Sequence, residues 1–259
     1  MTQTLVYLYA VLPHTLDGPV QGIDASLVRW INAERLAAAV SDVPADDFEE
    51  EPLNTNVRNM AWLAPRAVAH QDVNERLFEA SEAIVPLAFG TVFRDDDRVR
   101  QLLSEKAKQL QTQLARVRGC AEWVVALHAL HDPDVNATAE VRELQGQIAA
   151  STPGRAHLLR RQLATAERDA ARRLRTDAAA QVLEGLRVAT VEVFEEPLPS
   201  DTVERPLLRA SVLVRRDAEA TFMDEVERLR ARWPEPTYRL LLTGPWPPYR
   251  FAGLERAAD

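Results

Sequence analysis

Downstream of Gly119 the spacing of apolar residues switches between strand and helix periods in a fixed order, and that order constrains the fold more than any other feature. Ala121 to Leu130 is strand-like. Leu159, Leu163, Ala166, Ala170, Leu174, Ala178 and Val182 then recur at steps of three or four, which predicts a main helix from about Arg155 to Gly185. Leu186 to Phe194 and Leu207 to Val214 return to strand. Phe222, Met223, Val226 and Leu229 form a helical stripe that Asp217 caps and Pro234 stops, and Tyr238 to Thr243 closes the set as a strand. Strand, helix, strand, strand, helix, strand is the split βαβ, or ferredoxin-like, succession. Right-handed crossovers put both helices on one face of a four-stranded antiparallel sheet. A polar insertion at 131–154 interrupts the first crossover, with room for one short helix before the Ser151, Thr152, Pro153, Gly154 breaker.

The first half reads differently. Leu5 to Leu12 is an unbroken apolar run ending at Pro13, as expected of a central strand buried on both faces. Leu27 to Ile31 and Leu36 to Val40 flank Asn32, Ala33 and Glu34 as a hairpin. The acidic run Asp42, Asp46, Asp47, Glu49, Glu50, Glu51 repels itself and reads as a solvated loop. Val57, Met60, Leu63, Ala64, Ala67, Val68, Leu77 and Phe78 give an amphipathic helix that Pro65 should kink or split. Ile84 to Phe93 reads as a strand with a bulge or close backbone approach at Gly90, followed by a helix from Asp96, N-capped by Asp95 and ending near Gly119. The fold class is therefore α+β in two domains: a mixed α+β domain at 1–118, and a ferredoxin-like domain at 119–259 that carries the insertion and a Pro/aromatic strap at 244–252.

Composition narrows the functional classes. The chain has 259 residues, 46% of them apolar and 27% charged, which is ordinary for a globular protein. Its net charge of −8 disfavours phosphate backbones and anionic lipid, so neither nucleic acid nor a membrane is expected as a partner. A single cysteine, Cys120, forms neither an internal disulfide nor a thiolate metal cage. The longest apolar run is far shorter than the roughly 20 residues of a spanning helix, and Met1 to Thr4 carry no basic side chain. A cytoplasmic location is the expectation.

Sequence devices for chemistry are scarce. Phosphate-binding loops, dinucleotide turns and the serine nucleophile elbow are all missing, so no catalytic residue, cofactor or metal is expected. His128, His131, Asp132 and Asp134 fall at a strand end, where their spacing does not aim them at one ion. His70 and His157 lie on predicted helix surfaces without a partner, and Cys120 reads as a buried small hydrophobe. The one basic concentration is Arg155, Arg160, Arg161, Arg168, Arg172, Arg173 and Arg175, either a solvated helix face or a contact for an acidic protein.

The strap Gly244 Pro245 Trp246 Pro247 Pro248 Tyr249 Arg250 Phe251 Ala252 is the least ordinary segment. Its prolines fix φ and predict a stiff polyproline-like piece that either covers its own domain or holds Trp246, Tyr249 and Phe251 out as anchors. This strap resembles the C-terminal signature of the gas vesicle protein L/F family. Other segments that resemble it are Leu5 to Val11, Ala39 to Pro44, Trp62 to Val73 with His70 Gln71 Asp72 Val73, Val85 to Phe93, and Glu122 Trp123.

The resemblance implies an accessory or minor structural protein of gas vesicles, the hollow protein-walled buoyancy organelles of some bacteria and archaea. It implies no catalytic residues. The partners it implies are the hydrophobic shell protein of the GvpA type and other gas vesicle accessory proteins, with the protein assisting nucleation and assembly and preventing shell-protein aggregation. The residues expected to make such contacts are Trp246, Pro247, Pro248, Tyr249 and Phe251 of the strap, with Arg160 and Arg168 of the main helix. The alternative is a regulatory protein that binds a small ligand on its ferredoxin-like domain.

Overall fold

The structure is a computed structural model that describes residues 3–199 and 206–253. The described chain forms two compact units. Unit 1 contains 3–122, 213–217 and 244–253, and unit 2 contains 123–199, 206–212 and 218–243. The strap, expected within the C-terminal domain, is part of unit 1.

Unit 1 is built on β1 (Thr4–Leu12), every residue of which is buried from Leu5 onward. β2 (Arg29–Ala33) and β3 (Leu36–Pro44) form the expected hairpin, and β3 pairs antiparallel with β1. The connection is tighter than the three residues expected: Glu34 and Arg35 alone make the turn, both at positive φ, as a two-residue hairpin loop demands. Strand alternation lets β1 serve two cores, and a register shift between Leu8 and Ala10 puts the consecutive Tyr9 and Ala10 in the same one. Val6, Leu8 and Val11 fall in one cluster, and Leu5, Tyr7, Tyr9, Ala10 and Leu12 in the other.

The acidic run is not a loop: Asp42 lies on β3, and from Asp46 onward the run is mostly helical. α1 (Ala45–Phe48) and α2 (Glu50–Asn56) follow β3 directly, with Asp46, Asp47, Glu50 and Glu51 in first turns, where the helix dipole favours carboxylates. α3 (Met60–Ala80) starts where the Asn59 side chain accepts from Ala61 N–H at 3.1 Å, and it runs through Pro65 as one element. Its buried face is His70, Val73, Asn74, Leu77 and Phe78, whereas Met60 and Val68, expected inside, are exposed.

The expected strand at 84–93 is two short pieces on β1, β4 (Val85–Pro86) and β5 (Val92–Phe93). Between them Gly90 takes φ +83° and donates its N–H to Tyr7 Oη at 3.0 Å. The helix from Asp96 is capped by Asp95 as expected, but it breaks at Lys106 into α4 (Asp96–Glu105) and α5 (Ala107–Val117).

Unit 2 carries most of the second sheet. Its strands are β6 (Cys120–Ala129), β7 (Glu192–Glu195), β8 (Leu208–Arg215) and β9 (Tyr238–Trp246), in the order β7-β8-β6-β9. That is the ferredoxin-like order, with the crossovers made by α7 (Pro153–Ala189) and α8 (Glu219–Arg232). Trp123 on β6 meets Phe222 on α8 at 5.8 Å between ring centroids. Gly185 lets α7 and α8 approach, since a Cβ there would come within 3.0 Å of the Leu229 side chain.

The strand expected from Leu186 begins only at Glu192. Leu186 continues the buried series Ala178, Val182, Leu186 at steps of four, so the helix keeps it. At 37 residues α7 is about 55 Å long. The insertion supplies α6 (Ala139–Ala149), which folds back onto the first half of α7 through Val141, Ala166 and Ala170.

Candidate functional site

The last turn of the strap, α9 (Tyr249–Ala252), determines what that segment can do. Pro247 and Pro248 are buried, and Ala252 N–H donates to Pro248 O at 2.8 Å. A proline φ near −65° suits a helix start as well as polyproline geometry, so the segment turns instead of extending. Phe251 is 3% exposed and Ala252 fully buried, both within the cluster that holds Val11, Leu110 and Leu114.

Polar contacts fasten the turn within unit 1. Glu122, buried at the start of β6, accepts Arg250 N–H at 2.8 Å. Tyr249 Oη donates to Gln71 Oε1 at 3.2 Å. Gln113 and Arg116 of α5 donate to Gly253 O and Phe251 O. Burial pushes the Tyr249 phenol above its ordinary pKa, so it remains a neutral donor. Of the expected contact residues, Phe251, Pro247 and Pro248 are thus internal, and Trp246 and Tyr249 are half-buried. The signals for the fasteners were present in Glu122, a lone carboxylate in an apolar strand, and in Gln71 beside His70.

His70 is not on a helix surface. It is 5% exposed, with Nδ1 2.9 Å from Tyr7 Oη and Nε2 3.0 Å from the Asn74 amide nitrogen. Tyr9 stacks on it and Phe89 meets it edge-on. Burial pushes its pKa down to about 4, so near neutral pH it is an uncharged pin between β1 and α3. With both nitrogens engaged and the ring enclosed, it has no free atom to offer a substrate.

Arg160 and Arg168 lie in unit 2, both exposed on the first half of α7. The basic series divides there. Arg172, Arg173 and Arg175 pair with Asp169, Glu140 and Asp132, whereas Arg155, Arg160, Arg161 and Arg168 form no ion pair among the described residues. The histidine and aspartate group at 128–134 is dispersed: His131 Nδ1 bonds Pro236 O, Asp132 takes Arg175, and Asp134 caps Asn136 N–H. Among the described residues no three metal-ligating side chains converge. Cys120 is buried as expected, and burial pushes its thiol pKa up, away from the nucleophilic thiolate.

The sheet in unit 2 has a feature not expected from the sequence. Its outer strands carry apolar side chains in solvent: Phe194 on β7 is 40% exposed, Leu241 on β9 46%, and Val191, just before β7, 55%. Strand alternation in Arg239, Leu241, Thr243 is the signal that points Leu241 outward. No helix among the described residues is long and apolar enough to cross a membrane.

Comparison with known proteins gives a consistent result. Residues 5–253 match the family model described as "Gas vesicle synthesis protein GvpL/GvpF". The chain is 32% identical to gas vesicle protein L of Streptomyces sp. (strain CB03234), over 98% of this chain and 94% of that protein. It is 29% identical to gas vesicle protein L2 of Halobacterium salinarum, over 95% and 90%. The crystal structure of the gas vesicle protein GvpF from Anabaena sp. PCC7120 superposes with a TM-score of 0.68 at 20% identity, covering 98% of each chain, which establishes a shared fold.

Proposed function

Because the chain belongs to the gas vesicle synthesis protein GvpL/GvpF family, we propose that it binds subunits of the vesicle shell and assists nucleation and assembly by keeping them from aggregating. A wall whose inner face excludes water needs subunits with exposed apolar surface, and free subunits of that kind cluster. A carrier of net charge −8 resists joining the aggregate. The observation that carries this reading is the pair of outer strands in unit 2, whose exposed Phe194 and Leu241 offer an apolar partner both side-chain contact and a sheet edge.

The strap contributes through Phe251 and its fasteners as part of the unit 1 core, leaving the half-exposed Trp246 as its contact residue. Arg160 and Arg168, exposed on the first half of α7, offer a separate charged contact. A pull-down with purified shell protein tests the reading. Wild type retains shell subunits, and a Phe194→Asp, Leu241→Asp variant that keeps the wild-type circular dichroism loses most of the capture. Failure of wild type to retain any shell protein would remove the proposal.

A further inference from the structure

Two surface features outside that reading complement each other. The first is a groove of about 650 Å³ in unit 1, whose lining includes Val92 and Phe93, the glutamates Glu49, Glu50 and Glu51, and Arg94 as its basic member. Asp42 and Asp47, from the same acidic run, are neutralised by Arg29 and Arg66. The three glutamates are exposed and form no ion pair among the described residues.

The second is a face of α7 in unit 2. Steps of three bring Arg155, Leu158 and Arg161 along one exposed flank of α7, beside the face that packs on α6. Leu158 is 61% exposed, against 8% for its neighbour Leu159, and it stands between two arginines that have no carboxylate partner. A large apolar side chain flanked by unpaired cations matches a groove that offers Val92 and Phe93 beside unpaired anions.

We propose that these surfaces are the two halves of one contact between copies of this chain. Leu158 of one copy seats on the half-buried Val92 and Phe93 of the next, and Arg155 and Arg161 meet the Glu49 to Glu51 row. The second copy is the occupant because this same chain carries both complementary charge patterns, each left unpaired. The contact is head-to-tail, since knob and groove are different surfaces, so it can be repeated from copy to copy.

Sedimentation equilibrium over about 1 to 200 µM reads the association directly. The mean mass of wild type is expected to rise above 29.0 kDa with concentration. Leu158→Asp, Arg155→Glu with Arg161→Glu, and Glu49→Lys with Glu50→Lys and Glu51→Lys each weaken association by at least about tenfold. Mixing the two charge-reversed proteins restores it, which also shows that both are folded. A wild type that stays at 29.0 kDa throughout overturns the proposal. So does a reversed variant that associates like wild type, a mixture that fails to associate, or a monomeric wild type whose glutamate row captures shell subunits instead.

Discussion

The strap in unit 1 and the first half of α7 in unit 2 both hold side chains suited to gripping a partner, and they use them in opposite ways. The strap turns at Pro248, lays Phe251 into a core and ties its backbone to Glu122, Gln113 and Arg116. The arm formed by α7 buries Ala166 and Ala170 against α6 and holds Arg160, Arg161 and Arg168 in solvent. The difference teaches that aromatic content alone does not mark a contact surface. A segment whose own unit offers a matching apolar site buries its anchors there, whereas the first half of α7, packed on α6 and on the 132–135 segment, leaves the arginines of its other faces in solvent.

The contrast is broken most severely by emptying the strap's core position. Phe251→Ala should destabilise unit 1 by about 3–5 kcal/mol, through lost burial and the cavity left behind. Chemical denaturation checks this as a fall in the midpoint at unchanged slope. A loss below about 1 kcal/mol would mean that the strap is a loose surface cover.

A second test uses His70, the other enclosed group of unit 1. Its pKa is about 4 when folded against an ordinary 6.5, so the unfolded chain takes up the proton first. The contribution is fully present above about pH 6.5 and lost as pH falls toward 4, reaching roughly 3 kcal/mol. Denaturation midpoints at successive pH values should show this slope in wild type and a shallower one in His70→Gln. Equal slopes would place His70 outside the core.

At the far end of the scale, Arg160→Ala with Arg168→Ala should change stability by no more than about 0.5 kcal/mol per site, because neither arginine has an ion pair to lose. A larger loss in thermal unfolding would mean that the arm is not an open surface.

Much of the architecture is written in local pattern. β1, the Asp95 cap and the strand-helix order after Gly119 each follow from residues close in sequence, and each is found in the structure. What escapes is whatever depends on partners far along the chain. Phe251 is buried by residues more than a hundred positions away, and no period announces that. His70 is in step with Val73, Asn74 and Leu77, yet a stripe counted from Val57 and Met60 runs along the wrong face. Leu186 illustrates a third cause, since a short apolar stretch satisfies helix and strand alike until packing decides. Of the expected contact residues, the strap could be found by its composition, but that composition does not distinguish an inward turn from an outward strap.

The most direct test of the central claim is light scattering on shell protein diluted from denaturant, with and without an equimolar amount of this chain. Scattering is expected to be suppressed, and the suppressed sample to contain a soluble complex of the two proteins. Scattering that rises equally fast in both samples, with no shared complex, would contradict that claim.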